Sequence, residues 1–286
     1  MVLKFFSERC WDMQPIGIFD SGVGGLGIFK AIAQLLPEQD LIFFADNNNL
    51  PFGQKTTAQL QQITSKILDY LILKHNIKIA VVACNTASVS SLSYLREKYP
   101  NIPIVGAVPC VKPACQLSKN KKVAILATLH TTNSDYQKQL IAQYGKGIEV
   151  LSIACPALVE LVEAGRFDDL YTQDKLREYL APAIELGVDV IGLACTHYPF
   201  LRAEIQKLLP DGVVIVDSNE PVARQVVKVY NQMLDNKTHD RQMTMSGIKN
   251  QSAKYSFYVT KDPKQFHKIT QRLIGDMFSG VNLISL

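Results

Sequence analysis

Six cysteines are spread over the 286 residues, and two of them stand in matching surroundings. Cys84 lies in the run IAVVACNT (79–86) and Cys195 in the run VIGLACTH (190–197). Each run is a short apolar stretch broken by the cysteine, followed by a helical stretch, a proline (Pro100 or Pro210) and another apolar run. An isolated cysteine is usually just a small buried residue, and Cys10, Cys110, Cys115 and Cys155 are read that way. Equivalent placement of Cys84 and Cys195 asks for more. A thiol at the carboxyl end of a strand, immediately before a helix, meets unpaired backbone N–H groups and the positive end of the helix dipole, which favour thiolate. Two such thiols facing one another across a cleft can remove a proton from one face of a ligand carbon and deliver one to the other. Acid–base groups that can serve them are Asp20, which follows the first strand and can lie beside Cys84, and His197, two residues after Cys195. Glu163 reads, from periodicity alone, as a surface carboxylate on an amphipathic helix. A zinc site at Cys195 and His197 lacks the second ligand pair that such sites use.

A competing signal is GVGGLG (22–27), a G-x-G-x-x-G run after a strand and before a helix, with Asp46 nineteen positions beyond Gly27. That is the dinucleotide fingerprint, and it keeps an NAD-binding oxidoreductase in view as a second class. Against it, Asp20 places a carboxylate where the pyrophosphate would approach, and the paired cysteines go unexplained. The alternative for this loop is to hold a substrate amine or carboxylate through Ser21 and its backbone N–H groups. A third class is an amino-acid-binding module without catalysis, in which binding survives loss of either thiol.

These residues need elements to carry them. Short Val- and Ile-rich runs at 16–19, 41–45, 79–83, 104–107, 123–127, 150–153, 190–194 and 213–216 predict buried parallel strands. Helical stretches fall between most of them, among them 58–75, 88–99, 174–186 and 198–208, which makes a βαβ pattern and a doubly wound sheet. The likeness of the two cysteine units extends upstream, where IGIFDS (16–21) stands to the first as VAILAT (123–128) stands to the second. The pattern predicts a duplication. Its first domain is 1–108 completed by 218–286, with a helix at 221–234, a strand at 255–260 and a final helix after Pro263; its second is 109–217. The polar stretch 236–252 is expected as a loop.

Composition bounds the partners. With 47% apolar and 20% charged residues the chain has the profile of a globular enzyme. A net charge of +4 suits a small acidic ligand, but the densest basic cluster, Lys119, Lys121 and Lys122, is no nucleic-acid stripe and is expected as a turn before a strand. Residues 1–15 hold no apolar core of signal-peptide length, and no run reaches membrane-spanning length, so a cytoplasmic protein with reduced cysteines is expected.

Taken together, the blocks GIFDSGVGGL (17–26), Asp46 through PFG (51–53), ACNTAS (83–88), Ala127 and Thr128 through Thr131 and Ser134, Cys155 and Pro156 through EAG (163–165), ACTHYP (194–199) and FYVT (257–260) with Asp262, Pro263 and Phe266 resemble the glutamate racemase family. The likeness covers the chain from Ile16 to its end. It implies an α/β enzyme of two pseudo-symmetric, doubly wound, flavodoxin-like parallel-sheet domains with the active site between them. It also implies no cofactor and a role in supplying D-glutamate for peptidoglycan. By the family pattern Cys84 takes the α-proton from D-glutamate, assisted by Asp20, and Cys195 takes it from L-glutamate, assisted by Glu163 and His197. Asp20, Ser21, Pro51, Phe52, Gly53, Asn85, Thr86, Thr128, Thr131, Thr196 and His197 are the expected substrate contacts, and none of these blocks places an arginine on the substrate carboxylates. An aspartate or broad-specificity racemase is the alternative within the same superfamily. Two features depart from the family: Phe52 stands where Tyr is usual, and about fifteen residues precede the first strand. In similar members such an extension helps to bind a peptidoglycan-precursor activator. A homodimer is also an expectation.

Overall fold

The computed structural model describes residues 14–238 and 253–286. In chain order the strands are β1 (Ile16–Asp20), β2 (Leu41–Ala45), β3 (Ile79–Val82), β4 (Ile104–Gly106), β5 (Lys122–Ala127), β6 (Glu149–Ala154), β7 (Val190–Leu193), β8 (Val214–Asp217), β9 (Tyr255–Val259) and β10 (Val281–Leu283). The helices are α1 (Leu26–Leu35), α2 (Thr57–His75), α3 (Asn85–Lys98), α4 (Val111–Leu117), α5 (Leu129–Asn133), α6 (Asp135–Tyr144), α7 (Ala157–Glu163), α8 (Leu170–Leu186), α9 (Arg202–Leu208), α10 (Asn219–Thr238) and α11 (Pro263–Ile274). Among the described residues no helix is long and apolar enough to cross a membrane.

Two wholly parallel sheets result, one ordered β10-β9-β2-β1-β3-β4 and the other β6-β5-β7-β8. The order β2-β1-β3-β4 repeats as β6-β5-β7-β8, which is the duplication in three dimensions. In each copy the chain reverses its winding beside the central strand, between β1 and β3 and again between β5 and β7. Ligands of open parallel sheets bind in the crevice that such a reversal leaves at the carboxyl ends of the strands. Asp20 and Cys84 lie at the first of these crevices, Thr128 and Cys195 at the second.

The inner strands β1, β2, β3 and β7 are apolar and buried on both faces, as parallel sheets require. Within β1 the alternation of side chains sends Ile16 and Ile18 into a core that continues into the second sheet through Ala124, Leu126 and Leu193, while Phe19 faces a separate core against α2 and α3. The C-terminal segment joins the first sheet through β9, which pairs with β2. Phe257 of β9 packs with its ring centre 5.1 Å from that of Phe29 and 6.3 Å from that of Phe43, both pairs tilted, and each such pair adds about 0.5–1.5 kcal/mol beyond area burial.

Local chemistry sets the element ends. Thr56 and Gln59 form a reciprocal capping box at the start of α2, and Asn76 closes it in the left-handed conformation. Asp169 caps α8, which therefore begins at Leu170 rather than at 174. The helix expected at 88–99 starts at Asn85, and that expected at 198–208 is a 3-10 turn, Tyr198–Leu201, leading into the short α9. Lys119 to Lys121 form the bend that leads into β5 at Lys122, held by Asp189, which accepts from the amides of Lys119 and Asn120. The polar stretch 236–252 opens inside α10, which runs to Thr238; residues 239–252 lie outside the described residues, as do 1–13 of the extension.

Candidate active site

The loops leaving β1, β3, β5 and β7 meet around a cleft of about 420 Å³. Cys84 is the N-cap residue of α3, and Cys195 sits in the bend after β7; both are almost fully buried and both line the cleft. Asp20 ends β1, completely buried beneath them. It binds the two halves together, since Thr196 Oγ1 donates to its Oδ2 at 2.8 Å while the Ser21 amide donates to its Oδ1 at 2.6 Å. Burial raises the Asp20 carboxyl above the ordinary carboxylate range against the opposing pull of His197, Thr196 and Ser21.

The two thiols do not share one environment. The sequence suggested that helix termini would favour thiolate at both, and for Cys84 the structure corrects this. Burial pushes the Cys84 thiol well above its ordinary value and Asp20 adds to the effect, outweighing the Ala87 amide in the first turn of α3. Desolvation of an anion costs more here than one backbone amide returns. Cys84 therefore rests as a protonated thiol, an acid in waiting. Around Cys195 the first partner is a side chain rather than a helix: His197 Nδ1 stands 3.9 Å from its sulfur, and His197 Nε2 donates to Glu163 Oε1 at 2.6 Å. Burial by itself would depress His197, but the hydrogen bonds and charges of Cys195 and Glu163 prevail and hold the ring well above its usual value. An imidazolium at His197 is the charge partner that a sulfur anion at Cys195 requires. Tyr198, fully buried, donates to the Cys155 carbonyl at 2.8 Å and fixes the turn that carries these groups.

The glycine-rich run has a purpose other than phosphate binding. A Cβ on Gly24 would stand 2.5 Å from His197 Nδ1 and from Thr196 Oγ1, and one on Gly22 would overlap the Glu163 carboxylate. The Val23 amide donates to Glu163 Oε1 at 2.7 Å. The loop thus lacks side chains so that Thr196, His197 and Glu163 can press against it. The space a pyrophosphate would take is filled by protein, which removes the dinucleotide reading, and the Val23 amide is committed to Glu163 rather than to a substrate. Only Ser21 of this region faces the cleft.

Of the residues singled out from the sequence, Ser21, Pro51, Phe52, Gly53, Cys84, Asn85, Thr86, Thr128, Cys195, Thr196 and His197 all line the cleft. Three stand behind it: Asp20 beneath Thr196, Glu163 behind His197, and Thr131 beside Thr128 and Thr86, with hydroxyl distances of 3.0 and 3.3 Å. Three charged or titratable lining residues were missed, namely Lys55, His130 and Glu160. Lys55 is the lysine at the cleft, where no arginine lines the wall among the described residues. Its signal was available, because a lysine two residues after Gly53 sits just ahead of the Thr56 cap.

The chain resembles known proteins along most of its length. The sequence pattern of the Asp/Glu/Hydantoin racemase family matches residues 25–226. A glutamate racemase of Herpetosiphon aurantiacus is 41% identical over 216 residues, covering 76% of this chain and 84% of the relative. Among solved structures, a glutamate racemase isoform from Bacillus anthracis superposes with a TM-score of 0.81 at 28% identity, covering 96% of this chain and 98% of that one. The Escherichia coli glutamate racemase in complex with L-glutamate and the activator UDP-MurNAc-Ala superposes with a TM-score of 0.80 at 30% identity, covering 95% of this chain and 98% of that one.

Proposed function

The chain belongs to the Asp/Glu/hydantoin racemase family, and from that premise we propose that this isomerase interconverts L- and D-glutamate through Cys84 and Cys195 acting from opposite sides of the substrate α-carbon. The observation that carries the reading is the repeat itself. Two thiols occupy equivalent strand ends, after β3 and after β7, on one cleft between two sheets that share a four-strand order.

With L-glutamate bound, the Cys195 sulfur takes the α-proton while the His197 imidazolium and Glu163 offset the charge around it. Hydroxyls and amides of Ser21, Asn85, Thr86 and Thr196, fixed in advance, hold the substrate and meet the charge that develops on it. The Cys84 thiol, kept protonated by its burial, delivers its proton to the other face and leaves a thiolate. The reverse reaction runs the same transfers backwards, with Asp20 beside Cys84 in the place that His197 holds beside Cys195. Thiols supply both the base and the acid, so the reading needs no group beyond the protein. The first domain is 1–108 with 218–286 and the second 109–217, with the substrate between them. By likeness to the Escherichia coli protein, solved with L-glutamate and UDP-MurNAc-Ala, the product serves peptidoglycan and a precursor of that kind is the activator. The described cysteines are all unpaired, which suits a cytoplasmic site of action.

The test is chiral chromatography of L-glutamate and L-aspartate after incubation with purified, nucleotide-free protein. The reading expects D-glutamate to accumulate to equimolarity and little D-aspartate. Turnover of aspartate in preference, or turnover only on addition of a nicotinamide cofactor, contradicts it.

A further inference from the structure

One wall of the cleft is a seam between the two halves. Thr86 of α3 and Thr128, the N-cap of α5, bring their hydroxyls to 2.9 Å across it. One turn further along α3, and two residues into α5, the seam is held by a different pair, Ser90 Oγ and His130 Nε2, at 2.7 Å. The backbone carbonyl of Lys55 also acts on the His130 ring, pulling its proton affinity up against the effect of burial. Lys55 closes the 3-10 turn Phe52–Gln54, with its amide donating to the Phe52 carbonyl at 3.1 Å. His130 therefore reaches from the four-stranded half to two separate elements of the six-stranded half. It also stands between the cleft and a second cavity of about 400 Å³ on its far side.

We propose that His130 is a positioning residue for the racemisation, a latch that holds the 52–55 turn and α3 against α5 so that the cleft stays shaped for the distal end of the substrate. The turn carries Phe52 and Gly53 into the cleft, and Gly53 approaches so closely that a Cβ there would lie 3.2 Å from that of Thr128. A turn of three residues has little of its own to fix it, so its register depends on what it is tied to. In the neutral ring one nitrogen donates to the Lys55 carbonyl and Nε2 accepts from the Ser90 hydroxyl. As imidazolium the ring donates through both nitrogens, which frees the Ser90 hydroxyl for the Thr86 carbonyl at 3.0 Å. Burial holds the ring below its ordinary value, the Lys55 carbonyl opposing. Charged and titratable groups around it are Lys55 on the turn and Asp135 and Tyr136 at the start of α6, while Val89 and Ser90 of α3 and Thr57 of α2 bring none. Both forms keep the two ties that span the halves. The His130 ring bonds Ser90 rather than His197 or Glu163, so its loss weakens substrate capture more than proton transfer.

This inference rests on the reading of the cleft as a racemase site, and its test has an arm that does not. In steady-state assays His130→Ala and Ser90→Ala each raise KM for glutamate about tenfold and leave kcat within about twofold, the worth of a net hydrogen bond. The double variant is no worse than either single one, because the two residues make one contact. His130→Gln, which keeps a donor and an acceptor, restores KM to within about threefold. In the second arm, hydrogen exchange on the substrate-free protein shows the Lys55 amide exchanging at least about threefold faster in His130→Ala, with the β1 amides unchanged. Faster exchange at the turn in a protein that racemises no amino acid leaves the latch standing and removes the proposed function. A protein that racemises glutamate with KM and exchange both unaffected by His130→Ala overturns the latch, as does a fall in kcat and thermal stability with KM constant.

Discussion

Glu163→Gln separates charge from shape behind Cys195. Glu163 Oε1 accepts from His197 Nε2 at 2.6 Å and from the Val23 amide at 2.7 Å, with the His197 and Glu163 side chains 2% and 13% exposed. Glutamine keeps the volume and an oxygen for Val23, so the glycine loop holds its place, but the imidazolium loses its anion. A hydrogen bond to a charged partner contributes about 1.5–3 kcal/mol and a neutral one about 0.5–1.5 kcal/mol. The difference, about 1–1.5 kcal/mol, is little screened at this burial and corresponds to roughly a tenfold change in rate. Because His197 stands beside Cys195, kcat for L-glutamate falls about tenfold and kcat for D-glutamate falls less. The two kcat/KM values still fall together, since the equilibrium constant between enantiomers is one, so the asymmetry is carried by KM. Stability carries the same signature. His197 is raised in the folded protein, so the stability it contributes is full below about pH 6.5 and is lost as pH rises through the raised folded value. Glu163→Gln flattens that dependence. Circular dichroism of each enantiomer's conversion over a pH series, with urea unfolding at the same pH values, measures both. An equal loss of kcat in the two directions with an unaltered pH dependence of stability would refute the reasoning and reduce Glu163 to a brace for the loop.

Gly24→Ala places a methyl group 2.5 Å from His197 Nδ1 and Thr196 Oγ1, so activity falls at least a hundredfold, by rough estimate, and overpacking costs about 1–3 kcal/mol in urea unfolding. Wild-type stability in that variant would show that the loop and the second half are not pressed together. Thr196→Val removes the donor at 2.8 Å from Asp20 and leaves a buried carboxyl oxygen unmet, which costs about 1–3 kcal/mol of stability, read by the same unfolding. In the substrate-free protein Cys84 reacts with iodoacetamide at neutral pH at least about tenfold more slowly than an exposed peptide thiol, because burial keeps it protonated; mass spectrometry of the labelled peptide gives the rate, and fast labelling would contradict its role as the resting acid.

Much of this arrangement was legible because a parallel strand must be apolar on both faces and therefore reads as a run. The runs at 16–19, 41–45, 79–83 and 190–194 recur as β1, β2, β3 and β7 with ends displaced by one residue at most. β10 escaped notice because Val281–Leu283 is an outer strand of three residues, two of them exposed, with no run to see. A helix of five residues such as α5 is too short for a 3.6-residue period, and with it went His130. Glu163 shows how pattern fails at a site. Periodicity made it a surface carboxylate, and only family likeness raised it to a site residue, because its partners Val23 and His197 lie 140 and 34 residues away. The glycine run misled for a related reason. Glycine reports that something comes close, and the sequence does not say whether that is a phosphate or the other half of the same protein.

The two-thiol mechanism is tested most directly by hydrogen isotope. L-Glutamate, and separately D-glutamate, is incubated in deuterated water and the reaction stopped while little has turned over; product and remaining substrate are separated and their α-carbon deuterium measured by mass spectrometry. With Cys84 and Cys195 on opposite faces, the product takes its hydrogen from a thiol already equilibrated with solvent, so product from either enantiomer is almost fully deuterated while recovered substrate keeps its original hydrogen. A product that retains the substrate's own hydrogen in substantial amount would mean that one group carries the proton from face to face, and the paired cysteines would not be the acid and base of this reaction.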